Sequence, residues 1–455
     1  MQSSAGQDGA AASAGRAQPG RRDSPARDLP GTPDSPGIAD GALVLARIRA
    51  AGTTPATVPA DVLMAASSAA SLVDRQLVEV TGAGGTERVL ALGWADGAAP
   101  DPDHHPSAPP RRLPAVHLLV WAACLASAWP RAEDEPYPGQ PFLRADVLRV
   151  CIGMGAHDRT VIAALRMLPA TGLISFAGPV GRLGPAAAAL PVGAWSALRR
   201  SHDRLPHAAL RRDPSILAQP DSPDGTPASP GPAARRIPHP PASPVSASET
   251  LVRAMVTALE SAQGPVARAD LPALADPALR RATQSALAGC GRTLIKTPEG
   301  SWTTGYPAPI AHALAAEQTG TLGREKRAVL ALILLRAVAI PRAQGRLSDT
   351  WASSGKPVAL EEIAANRQLP RAAIDEAIRG LRAAGYVTSA SSGGYVLGPA
   401  MARLGPAGRE ALWEDLIVLA RPNGYMADRI RSRRSTGRQE ADRTLPPQRD
   451  GEDQG

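Results

Sequence analysis

The residues best suited to chemistry are scattered along this chain, and their spacing argues against catalysis. Carboxylates stand side by side at Glu133-Asp134-Glu135, Glu361-Glu362 and Asp375-Glu376. A general acid or base needs apolar surroundings to tune its pKa. The first trio lies among prolines, and the other two pairs belong on solvated helix faces. Cys124, Cys151 and Cys290 have no paired spacing, and the first two sit inside apolar helical patterns. That is the pattern of buried reduced thiols, not of a disulfide or a metal site. His104, His105, His202, His207 and His239 fall in or beside Pro-rich stretches, where nothing would hold metal ligands in place. The chain has no phosphate loop, dinucleotide glycine fingerprint, His-Glu-x-x-His or Cys-x-x-Cys. Its GAGG at 82–85 fits a hairpin turn, not the strand-to-helix junction that cradles phosphate. No enzyme activity, cofactor or metal is expected. The densest basic cluster is Arg429, Arg431, Arg433 and Arg434, a composition suited to non-specific phosphate contact.

Charge permits a nucleic-acid partner without demanding one. Fifty Lys and Arg against 42 Asp and Glu give a net charge of +8, and the pI is about 10.0. Residues 114–200 carry eight Arg against five acids, and 307–420 carry thirteen Lys and Arg against ten. Such modest excesses serve phosphate binding only if they are clustered. The 455 residues, 44% hydrophobic but only 3% aromatic, suffice for two to four small domains. The N-terminus has no apolar stretch of the signal-peptide kind. The longest apolar runs, near 115–129 and 328–341, are interrupted by His117 and Arg336 and are too short to span a bilayer. A cytoplasmic protein without a membrane partner is expected.

Residues 1–40, 97–113, 201–248 and 425–455 are rich in Pro, Gly, Ser and charge, and carry few large apolar side chains. They are expected as a disordered N-terminus, two linkers and a disordered Arg-rich tail. Between them runs an internal repeat. A single offset of 213 places Val116 on Val329, Val150 on Ile363, Val161 on Ile374, Leu165 on Ile378, Leu168 on Leu381 and Gly172 on Gly385. Leu183-Gly184-Pro185 then meets Leu397-Gly398-Pro399 one residue out of step. Upstream, LVLARIRAAGTTPATVPADVL at 43–63 is weakly similar to LVRAMVTALESAQGPVARADL at 251–271. The chain therefore divides into segments A (41–96), B (114–200), A′ (249–306) and B′ (307–424).

In B′, Leu360 and Ile363 mark a short helix ended by Leu369-Pro370. Ile374, Ile378 and Leu381 form the stripe of a second amphipathic helix, which Gly385 stops. Two short β-runs about Gly393-Gly394 then read as a hairpin. B repeats this layout through Val147, Val150, Val161, Leu165, Leu168 and Gly172, with a turn and strand at 178–183. In A and A′, Asp61 and Asp270 centre turns before a second helix, and possible wings follow at 78–92 and 293–305.

This layout resembles the winged-helix superfamily of helix-turn-helix domains. The resemblance implies a mainly α fold with small β-wings, in four modules related by duplication. It further implies that the third helix of each module enters the DNA major groove while the wing touches the backbone. In B the solvent face of that helix would offer His157, Arg159, Thr160 and Arg166, and the wing Arg182. In B′ the matching face holds Arg371, Arg379 and Arg382, but also Asp375 and Glu376, which repel phosphate. Double-stranded DNA is the expected partner, with transcriptional regulation as the expected role and a nucleoid-associated location. The tandem arrangement is also similar to the kite-type subunits of SMC complexes, in which such modules self-associate and clasp a partner protein. That similarity leaves a protein partner open.

Overall fold

The apolar stripes of the sequence fold as helices, and the β-branched runs beside them as short hairpins. The structure is a computed structural model that describes residues 36–81, 87–98, 113–207, 234–238, 246–347, 356–365 and 368–444. Over these residues the chain is mainly helical, with four small sheets.

In segment A, α1 (Pro36–Ala51) and α2 (Ala60–Ser71) pack on a sheet containing β1 (Thr54–Pro55), β2 (Arg75–Thr81) and β3 (Arg88–Trp94). The sheet is covered on both faces. Leu77 and Leu90 lie in the A core with Val44, Leu45 and Ile48, whereas Val78, Val80 and Ala91 belong to the core of B. Two-sided burial accounts for Leu77 and Val78 standing side by side where a half-solvated strand would alternate.

Segment B begins with α3 (Ala115–Ala128), followed by β4 (Phe142–Leu143), α4 (Arg144–Gly153) and α5 (Asp158–Met167). The hairpin of β5 (Ile174–Ala177) and β6 (Val180–Leu183) comes next, then α6 (Pro185–Ala188) and α7 (Val192–Arg200). Val147, Val161, Leu165 and Leu168 are all buried around Cys124, Trp129 and Cys151. Cys124, Cys151 and Cys290 are free and buried, and burial pushes each thiol up.

Segment A′ consists of α8 (Ala247–Ser261), short 3-10 turns at 268–275, α9 (Pro277–Gly289), β8 (Thr293–Lys296) and β9 (Trp302–Gly305). Ser246 and Glu249 close α8 with a reciprocal capping box. B′ opens with α10 (Ala308–Ala316) and α11 (Arg324–Leu334). A π turn at 335–339 leads on to α12 (Ile340–Ala343), which admits Pro341. Then come α13 (Leu360–Ala364), α14 (Arg371–Ala383), β10 (Val387–Ser389), β11 (Tyr395–Leu397), α15 (Pro406–Ala420) and α16 (Tyr425–Thr444).

One pairing recurs in all four segments: a short extended piece after the first helix meets the last strand. β1 pairs with β3 and β4 with β6, while Val266 bridges to Trp302 and Val358 to Tyr395. B and B′ also agree at the level of single atoms. Gly172 and Gly385 are left-handed, with φ of 73° and 78°. A Cβ on Gly184 would come within 2.2 Å of the Gly172 carbonyl oxygen, and one on Gly398 within 2.2 Å of that of Gly385.

Three stretches expected to lack structure contribute to the fold, which corrects the sequence reading. Helix α1 starts at Pro36, inside 1–40. From within the expected linker 201–248, β7 (Ala234–Arg236) adds to the free edge of β2 and Ile237 is buried. A lone isoleucine among arginines and prolines carries no periodic signal; the strand edge supplies the order. His202, expected in a linker, is buried, and its Nε2 donates to the Trp129 carbonyl at 2.8 Å. The start of the expected tail is α16, anchored on the B′ side by buried Ala427 and Ile430. Residues 1–35, the turn at 82–85, most of 97–113 and of 201–248, and 445–455 lie outside the described residues.

Candidate nucleic-acid interface

Helix α5 is positioned by its apolar stripe. Val161, Ala164 and Leu165 are buried, so Arg159, Thr160 and Arg166 are left exposed. His157 takes an extended backbone at the helix entry, and its carbonyl accepts from the Thr160 hydroxyl at 2.7 Å. Asp158 Oδ1 accepts from the Arg159 backbone N–H at 2.6 Å, which satisfies part of the helix start. The β5–β6 hairpin stands instead beside the start of α4: β6 pairs with β4, and the Arg144 N–H donates to the Pro179 carbonyl at 2.9 Å. Gly181 leaves no room for a side chain, because a Cβ there would meet the Phe142 and Phe176 rings at 2.4–2.8 Å. Its neighbour Arg182 points out into solvent. Arg144 lies over the Phe176 ring, 5.6 Å from its centre.

Charge concentrates on this part of B. Residues 144–183 hold five Arg (144, 149, 159, 166 and 182) against Asp146 and Asp158. Arg149 pairs with Asp146 at 3.2 Å. Among the described residues, Arg159, Arg166 and Arg182 make no ion pair. Arg166 lies within electrostatic reach of Glu376 in α14. The corresponding part of B′, 356–397, holds five basic residues against four acids. There Arg379 pairs with Glu376 at 2.5 Å, and Arg371 reaches Asp375 at 3.6 Å and Glu361 at 4.0 Å. The hydrogen bond from Arg379 holds the Glu376 carboxyl below its ordinary range. Arg382 is exposed.

Three arginines of α16 are also internally occupied. Arg431 pairs with Asp428 at 3.0 Å, Arg433 with Glu414, and Arg434 with Glu414 at 3.2 Å and Asp415 at 2.7 Å. Arg429 lies beside the Tyr425 ring, 6.0 Å from its centre. Three of the four arginines of that cluster are therefore already paired, two of them with acids that α15 presents.

A second charged cluster was not among the sequence candidates. Glu260, at the end of α8, is buried between Arg49 Nη2 at 2.8 Å and Arg75 Nη2 at 3.1 Å. Burial alone would raise its carboxyl pKa, but the charges of Arg49, Arg75 and Arg292 override that and hold it below the ordinary range. Burial pushes Arg75 down to about 10. Arg75 and Glu260 are 185 positions apart, so no local pattern could have brought them together.

No group of three His, Cys, Asp or Glu suited to a metal occurs among the described residues. No described helix is long and apolar enough to cross a membrane. Comparison with family models, with curated proteins and with solved structures finds no match for this chain.

Proposed function

We propose that this chain is a DNA-binding protein built from four winged-helix-like modules, A–B and A′–B′, related by duplication, and that B carries the contact. The duplication is supported by the recurrent strand pairing and by the matched glycine geometry at Gly172–Gly184 and Gly385–Gly398. One observation supports the assignment to B above all. Its helix-turn-helix and wing keep Arg159, Arg166 and Arg182 free of ion pairs among the described residues, whereas in B′ Arg371 and Arg379 are paired with acids. Free guanidinium groups release counterions from phosphate and read guanine edges; paired ones must first give up their carboxylates. Arg159 and Thr160, on the first turn of α5, are the base-reading candidates, and Arg182 is the backbone contact. Regulation of transcription is the use proposed for such a contact.

The test is a set of variants titrated with duplex DNA. Arg159→Ala should weaken binding by roughly 1–3 kcal/mol and relax sequence preference, whereas Arg182→Ala should weaken all sequences alike. Arg379→Ala should leave binding nearly unchanged. Equal losses from Arg159→Ala and Arg379→Ala would remove B from its assigned role.

A second reading is favoured by the packing of A against A′, which share an apolar core and the Glu260 cluster. A chain that carries its own pseudo-dimer suits the protein-clasping role of kite-type SMC subunits. Co-migration with an SMC-type ATPase and its linker subunit, combined with no DNA binding, would favour that reading.

A further inference from the structure

Segments A and A′ meet through equivalent backbone features. Asp74, with φ 56°, and Arg75 lead into β2; Gly291, with φ 71°, and Arg292 lead into β8. Each left-handed turn receives the first helix of the other segment. Asp74 accepts from Arg253 of α8 at 3.2 Å. Gly291 lies so close to α1 that a Cβ would come within 2.4 Å of the Ala42 carbonyl oxygen. Val44, Leu45 and Ile48 of α1 share one apolar cluster with Val256, Leu287 and Cys290.

The charges on the two sides are not equivalent. At the end of α1 stands Arg49; at the end of α8 stands Glu260. Glu260 takes both Arg49 and Arg75. Arg292, the counterpart of Arg75, makes no ion pair among the described residues. Its Nη2 donates instead to the Thr304 hydroxyl at 2.6 Å and carbonyl at 3.3 Å. At the rim, Arg47 of α1 pairs with Glu317, just past α10. The A side of the interface thus presents Arg47, Arg49 and Arg75 with Asp40 and Asp74, and the A′ side supplies Glu260 and Glu317 with Arg253 and Arg292.

We propose that this face is a charge-coded pairing surface: A accepts A′ of this chain and rejects a second copy of A. Two A faces brought together would set two sets of Arg47, Arg49 and Arg75 against each other, six guanidinium groups against the four carboxylates of Asp40 and Asp74. Repulsion built against a wrong partner gives specificity that matching apolar helices alone do not supply. The code keeps the two halves together and holds the chain monomeric through this face. It rests on the packing alone and holds whichever ligand B takes.

The test uses the full chain with a protease site placed at 240–244, cut after folding. The nicked wild-type halves should still co-elute at the 47.0 kDa of the intact chain. Glu260→Arg should separate them, with a loss of affinity on the order of a hundredfold or more. Adding Arg49→Glu to that variant returns three arginines and one carboxylate to the site and should restore co-elution. Capture of a tagged N-terminal half should bring down the C-terminal half and no untagged N-terminal half from a mixed sample. Separation of the nicked wild type, co-elution of the nicked Glu260→Arg variant, failure of the double variant to recover, or capture of a second N-terminal half would each overturn the proposal. Rescue by the double variant also distinguishes a charge code from a simple failure of Glu260→Arg to fold.

Discussion

Replacing Glu260 by Gln removes the one carboxylate that, among the described residues, pairs with Arg49 and Arg75, at 2.8 and 3.1 Å, while keeping the side chain's shape. Both arginines then remain buried with a neutral neighbour. Removing one partner of a buried ion pair typically costs about 3–5 kcal/mol, because the remaining charge is left uncompensated. With an unfolding entropy of about 2.1 cal/mol/K per residue over a body of roughly 350 residues, that corresponds to a fall in Tm of about 4–7 °C. The effect must also depend on pH in a defined direction. The Glu260 carboxyl is held below its ordinary value of 4.5 in the folded chain. Its stabilisation is therefore present in full above that value and is lost as pH falls through the depressed folded one. Wild type should lose stability on acidification below about pH 4.5 more steeply than Glu260→Gln, and the two curves should converge. Calorimetry from pH 3 to pH 7 measures both quantities. A loss below about 1 kcal/mol at pH 7, or parallel pH curves, would refute a charged, tightly paired Glu260.

Leu165→Asp and Ile374→Asp place a charge in the buried stripe of α5 or α14. Each should unfold its own segment, seen as loss of helical circular dichroism. Gly184→Ala and Gly398→Ala drive a Cβ to within 2.2 Å of a carbonyl oxygen. They should destabilise B and B′ to a similar extent, by about 1–3 kcal/mol or more in denaturant titration. Deleting 425–455 removes the buried anchors Ala427 and Ile430 and leaves Glu414 without Arg433 and Arg434. It should lower the melting temperature of B′ and change the salt dependence of DNA binding less than the arginine count suggests, because Arg431, Arg433 and Arg434 are already paired.

The parts of the fold that were legible are those encoded locally. The stripe Val161, Leu165, Leu168 and its counterpart Ile374, Ile378, Leu381 required amphipathic helices, and both are buried as the spacing demands. Gly172 and Gly385 marked the chain reversals before each hairpin through their positive φ. What escaped was set by distant partners. The β7 residues are held at the open edge of β2, more than 150 positions earlier, and by the cores beside it. Helix α16 carries a charge pattern typical of a solvated tail, and becomes structured through the acids of α15 and two small anchors. The candidate site was legible as a list of arginines but not as a ranking. Which of them remain free depends on acids placed by tertiary packing, as Glu414 shows for Arg433 and Arg434.

The central claim, DNA contact through B, is tested most directly by titrating the wild-type chain with random-sequence duplex from low to physiological salt. If B contacts DNA through Arg159, Arg166 and Arg182, which make no ion pair among the described residues, binding should be measurable at low salt with a log–log salt slope of about −3. That slope should fall by about one with Arg182→Ala. No binding at low salt, or a slope unaltered by Arg159→Ala and Arg182→Ala together, would contradict the account.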